Sequence, residues 1–196
     1  SIAIGSNGTL SGTQTATAVN GVATFSGLKL TGTPMADYTL SFSSGVLASV
    51  TSSALHVTHD ATAQLVWVTQ PVGSATGDDL PTQPVLRLLD QYGNLVTGDN
   101  STVVTATVAS GANGSLSQAT ATAVGGVVTF QWLNLVGTPG VSYTLAMTAV
   151  TSNSTTINAQ NSNAITLTHA APYRLVVTSQ PVGGLSGATL GANAKP

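Results

Sequence analysis

Glutamate and cysteine are absent from this chain of 196 residues, and charged side chains of any kind make up only 5% of it, against about 25% in an ordinary soluble domain. Without cysteine there is no disulfide framework and no thiolate metal site. Without glutamate, no Glu can pair with an Asp for glycoside hydrolysis. The cations Lys29, Arg87, Arg174 and Lys195 are scattered, and the net charge is −2. A phosphate-binding face needs clustered Lys and Arg, so nucleic acid is not expected as a partner. Apolar runs extend only a few residues, far short of the roughly 20 that cross a bilayer, and no membrane span is expected in this segment. The first residues lack a charged-then-apolar signal layout, which places any export signal or anchor outside the segment. No Gly-rich phosphate loop opens a helix and no nucleophile elbow is present, so the chain reads as no enzyme and as using no cofactor.

What is abundant is hydroxyl and amide. The 31 Thr residues, with many Ser and Asn, hydrate a surface without creating a field. Four Asn-x-Ser/Thr sequons, at Asn7, Asn100, Asn113 and Asn153, fall in expected loops or turns and are candidate glycosylation sites. Attached sugar would explain how so weakly charged a surface stays soluble.

The chain also repeats itself. Ala16-Thr17-Ala18-Val19, Gly21-Val22, Thr24-Phe25, Leu28, Leu30, Gly32-Thr33-Pro34 and Tyr38-Thr39-Leu40 return 105 residues later. Their counterparts are Ala121 to Val124, Gly126-Val127, Thr129-Phe130, Leu133, Leu135, Gly137-Thr138-Pro139 and Tyr143-Thr144-Leu145. A second match, at a spacing of 110, pairs Leu65-Val66 and Gln70 to Gly73 with Leu175-Val176 and Gln180 to Gly183. The five-residue difference falls between Leu145 and His169, where 151–163 reads as an enlarged polar loop. The expected organisation is the C-terminal part of one repeat over 1–59, a complete repeat over 60–169 and the N-terminal start of a third over 170–196. Such phasing predicts an excerpt from a longer array.

The complete repeat parses into seven short strands of period-2 patterning, at 63–69, 85–89, 102–108, 118–124, 127–133, 142–150 and 163–169. That number over roughly 100 residues predicts an all-β fold of tandem immunoglobulin-like antiparallel β-sandwich domains. Tyr143, Leu145, Met147 and Ala149 fall on one face of the sixth strand, while Ser142, Thr144 and Thr148 fall on the other. Leu65, Leu86, Leu88, Val104, Phe130, Tyr143, Leu145 and Ile165 are the expected inward residues. Gly125-Gly126 and its counterpart Asn20-Gly21 predict two-residue hairpins.

Two stretches carry a family resemblance. Pro84 to Val96 contains a strand that ends in the turn Asp90-Gln91-Tyr92-Gly93-Asn94, and the Gly126-Val127-Val128-Thr129-Phe130 arm is followed by Gly137 and Tyr143-Thr144-Leu145. Both are similar to the bacterial immunoglobulin-like repeats of invasin, intimin and related large surface adhesins. The resemblance implies an extracellular, cell-surface stalk that sets distance between a cell and what it touches, with neighbouring repeats of the same chain or identical subunits as its partners. It assigns no binding residue.

Asp60, Asp78 and Asp79 offer hard oxygen ligands for calcium between domains. Ala170 and Ala188 stand at the counterparts of Asp60 and Asp78, however, so no metal is expected and Asp90 and Asp99 read as turn residues. His56 matches Thr166 and lacks a third ligand; His59 and His169 mark domain boundaries. Trp67 and Trp132 are the candidate glycan contacts of an alternative, lectin-like carbohydrate-binding reading, in which other cells or glycans are partners. Their counterparts are Val177 and Gly27, and Trp132, in phase with Phe130, is expected to close the rim of the core. Residues 60–169 contain no Lys, which excludes a Lys–Asn isopeptide bond there. A further alternative is a filament subunit that donates its 172–182 strand to the next copy.

Overall fold

Thr, Val and their β-branched relatives favour extended backbone, and no helix occurs among the described residues of the computed structural model, which are 1–5, 7–151, 153–182, 186–187 and 191–192. The fold is all-β and its ladders are antiparallel. Residues 1–58 supply β1 (Ile2–Ile4), β2 (Thr9–Ser11), β3 (Lys29–Thr31), β4 (Asp37–Phe42), β5 (Val50–Thr51) and β6 (Leu55–His56). The central segment supplies β7 (Gln64–Thr69), β8 (Val85–Leu89), β9 (Val103–Ser110), β10 (Ser115–Ser117), β11 (Thr120–Thr122), β12 (Val127–Thr129), β13 (Asn134–Val136), β14 (Ser142–Val150), β15 (Thr156–Asn158) and β16 (Ile165–Thr166). A last short ladder joins β17 (Pro181–Val182) to β18 (Gly191–Ala192).

In the central segment one sheet has the order β12-β8-β7 and the other the order β11-β9-β14-β15, with β16 also on β14. Their inner faces contribute to one core, an arrangement consistent with a β-sandwich. The alternation expected of the longest strand is present: β14 buries Tyr143, Leu145, Met147 and Ala149 and leaves their neighbours half or fully exposed. All eight residues expected to face inward are buried. Each large aliphatic or aromatic side chain so placed contributes about 1.5–3 kcal/mol relative to exposure. The two-residue hairpin is also as expected: Val124 pairs with Val127, and Gly125 and Gly126 have φ of 59° and 75°. Positive φ at both central positions gives the twist that flanking strands require.

Three expectations need correction. The strand expected over 118–124 is interrupted at Gln118, with φ of 52°, and the one over 127–133 is interrupted before Trp132, with φ of 55°. The left-handed residues make the first strand start late and the second end early, and β10 and β13 form a separate pair. In the first segment the same positions are Gly12 and Gly27, both also at positive φ. The expected polar loop over 151–163 contains β15, which adds an edge strand to β14 and buries Ile157.

Residues 1–58 repeat only the later part of this plan. The ladder β2–β3 answers β10–β13, and β1–β4 answers the last turn of β9 with β14. Counterparts of β7 and β8 are not among these residues, so fewer side chains are covered. Tyr38 and Leu40 are buried, while Phe25, Leu28, Leu30 and Phe42 remain half-exposed. Phe25 and Phe42 pack with ring centroids 5.1 Å apart at an angle of 53°. Residues 170–180 form no strand and are exposed throughout, including Tyr173, Leu175 and Val177. Gly183, Ala188 and Lys195 lie outside the described residues.

Candidate functional site

The feature common to both segments is a tyrosine caged by glycines. The side chain of Tyr143 is fully buried, its hydroxyl accepts the Thr138 N–H at 2.7 Å and donates to the Ala112 carbonyl at 3.0 Å. A Cβ placed on Gly111, Gly114 or Gly137 would come within 3.0 Å of that ring. Tyr38 repeats the arrangement: its hydroxyl accepts the Thr33 N–H at 2.7 Å, and Gly5, Gly8 and Gly32 press on its ring. Asn7 and Asn113 take the same left-handed conformation, with φ of 60° and 59°, in the loop between the first two of these glycines. Only glycine lets backbone approach an aromatic face so closely. The repeat in sequence is thus a repeat in geometry.

A second construction holds the start of the central segment, residues 59–62. Asp90 closes its turn as expected, with the Gly93 N–H on its carbonyl at 3.1 Å and the Tyr92 and Asn94 N–H groups on Oδ1, both at 2.9 Å. The turn also reaches beyond itself. Oδ2 accepts the Asp60 N–H at 3.1 Å, and Gln91 Nε2 donates to the Asp60 carboxylate at 2.6 Å. Burial opposes the charge on Asp90, which is 1% exposed, but the hydrogen bonds from Asn94, Asp60 and Tyr92 outweigh it and hold the carboxyl below its ordinary range. Asp99 behaves alike: burial opposes its charge, and donors from Thr102, Ser101 and Thr62 lower it on balance. Asp60 is lowered by the Ala61 N–H and then by Gln91. His59 Nε2 accepts the Gly98 N–H at 3.1 Å, which leaves the proton on Nδ1, 3.3 Å from the Asp60 carbonyl. Residues 59–62 are therefore held by four bonds onto two turns of the central segment: two through Asp60, one through His59 and one from the Thr62 hydroxyl to Asp99.

The third feature is an open cleft of about 460 Å³ lined by Asp79, Leu80, Gln83, Phe130, Gln131 and Trp132. Trp132 was expected to close the core rim; instead it is 65% exposed. The reason lies in its neighbours. The Phe130 N–H donates to Pro84 at 3.0 Å, the Leu80 N–H donates to Leu133 at 2.9 Å, and Gln83 clamps Leu133 through its N–H at 2.9 Å and its carbonyl at 3.1 Å. With both flanks pinned to 80–84, the backbone between them turns left-handed and the indole points away from the core. A non-glycine residue in this conformation costs on the order of 1–3 kcal/mol, a cost that Gly27 avoids at the matching site. Trp67 differs: it packs against the core and its Nε1 donates to the Gln160 carbonyl at 2.7 Å.

The remaining candidates are placed as follows. Asp78 and Asp79 are exposed in the turn after Ala75, and no group of three or more His, Asp or Glu among the described residues could hold a metal ion. His56 pairs with Asp37 at 2.8 Å on the surface of the first segment, and His169 is exposed. Of the sequons, Asn100 is engaged, since its Oδ1 accepts the Gly125 N–H at 2.8 Å and its Nδ2 donates to Gly98 at 3.2 Å. Asn7, Asn113 and Asn153 are exposed. Reading from the sequence missed the Gln83 clamp and the tie from Asp90 to Asp60. Gly27 opposite Trp132 was a usable signal for the first: a position that takes Gly in one copy and a large ring in the other is a left-handed one. Among known proteins, no family model and no curated protein matches the chain.

Proposed function

We propose that this chain is a stretch of a tandem array of immunoglobulin-like repeats that serves as a structural or adhesive spacer of a large extracellular surface protein or filament. The observation that carries the reading is the recurrence, in both segments, of the caged tyrosine with its three glycines. A sequence under selection for a site varies its copies around that site; here the shared elements are those that hold a sandwich together. The low charge and the abundance of Thr, Ser and Asn suit a surface hydrated by hydroxyls. Antibodies raised against the central segment test the proposal. They should label intact source cells or shed filaments without permeabilisation; labelling only after permeabilisation would refute a surface location.

A further inference from the structure

We infer that the Trp132 cleft is a binding site for a neutral pyranose unit of a glycan. Three observations lead there. Trp132 exposes most of its indole on left-handed backbone, where the matching position of the first segment takes glycine. The fold therefore does not need this ring, and an outlier held in place by its surroundings points to function. Next, the platform is pre-set: the bonds from Gln83, Leu80 and Pro84 to the flanking residues hold it without a ligand, which lowers the cost of binding. Finally, polar groups stand at its edge. Asp79 and Gln131 are exposed and line the same cleft, whose accessible surface is mostly apolar, so the indole face would take the sugar's C–H groups with a carboxylate and a carboxamide residue bordering it.

The size and charge of the site select among occupants. Leu80 and Phe130 are buried, so the accessible large apolar surface of the cleft is a single indole. One aromatic side chain covers about 150–250 Å² in all, whereas a protein partner needs about 800 Å² per side. The lining includes a carboxylate and no cation, which disfavours phosphate, sulfated or sialylated ligands. A neutral sugar satisfies both conditions.

The test is a titration of the intact chain with neutral hexasaccharides of cellulose, xylan, mannan, chitin and laminarin, read by tryptophan fluorescence and by calorimetry, alongside Trp132→Gly and Asp79→Asn. At least one sugar should bind, with affinity reduced by roughly tenfold or more in Trp132→Gly, the amount expected if about 1.4 kcal/mol of stacking is lost. Trp132→Gly should melt no lower than the parent, because Gly27 shows that glycine fits there. Asp79→Asn leaves the backbone untouched and should weaken binding by a smaller factor. Binding that survives Trp132→Gly, a preference for charged glycans that salt abolishes, or no binding at millimolar sugar would each overturn the assignment. None of those results touches the spacer reading, which rests on the repeated tyrosine cage.

Discussion

At Tyr143, one hydroxyl closes two backbone groups, the Thr138 N–H and the Ala112 carbonyl. Replacing it by phenylalanine keeps the ring and the glycine cage but strands an N–H and a carbonyl in a part-buried place. Tyr143→Phe should cost about 1–3 kcal/mol, seen as a lower urea midpoint with an unchanged slope. Gly137→Ala should be worse, because its new Cβ would stand 2.5 Å from the ring and neither the ring nor the strand can yield. Trp132 illustrates the opposite economy. It sits on left-handed backbone and exposes most of its indole, and this asymmetry separates it from the buried tyrosines.

The turn after β8 is the element on which acid should act first. Asp90 and Asp99 both have carboxyls held below their ordinary range by hydrogen bonds that burial does not cancel. A lowered folded-state value means that the charged form adds stability above the unfolded value of about 3.9, and that the gain is lost as pH falls through the lower folded value. The urea midpoint should therefore be insensitive to these groups from pH 7 to 5 and fall below about pH 4. Asp90→Asn should flatten that decline while lowering the plateau, because an amide cannot accept as many donors.

At the same scale, the strands themselves were largely legible. Period-2 alternation located β7, β8, β9 and β14, and two adjacent glycines located the hairpin at 125–126. Alternation carries no information on where a strand breaks, however. Gln118 and Trp132 are residues that pattern assigns to extended backbone, yet both lie in the left-handed region, and beside Trp132 the bonds that pin the chain come from Gln83, 50 residues away from Leu133. The short strand β15 escaped for a related reason: Thr156-Ile157-Asn158 offers one apolar residue amid polar ones, and its pairing is decided by the exposed edge of β14. The Asp90 turn could be read from its own motif, but its bond to Asp60 joins residues 30 apart and leaves no periodic trace.

Across the whole molecule, the two ends of the central segment meet. Residues 73–76 run beside 166–168 in the same direction: Ala75 and Thr168 form a parallel bridge, the Thr168 N–H donates to Ser74 and the Thr76 N–H donates to Thr168, both at 3.0 Å. Gly73 packs so closely on Thr166 that a Cβ would strike its carbonyl. In a strut under tension, these neighbours are pulled in opposite senses along their length. Parallel strands so loaded cannot unzip one bond at a time; their bonds must slide and fail together, which would make this patch a mechanical clamp in a loaded chain. Thr168→Pro removes one donor from it. Stretched by its ends between flanking handles, that variant should unfold at a much lower force than Tyr143→Phe, even when the two are matched in equilibrium stability. Equal forces for the two variants would place the load elsewhere. If the chain serves as a spacer, its strength under pull would reside in the few bonds where the chain enters and leaves the central unit.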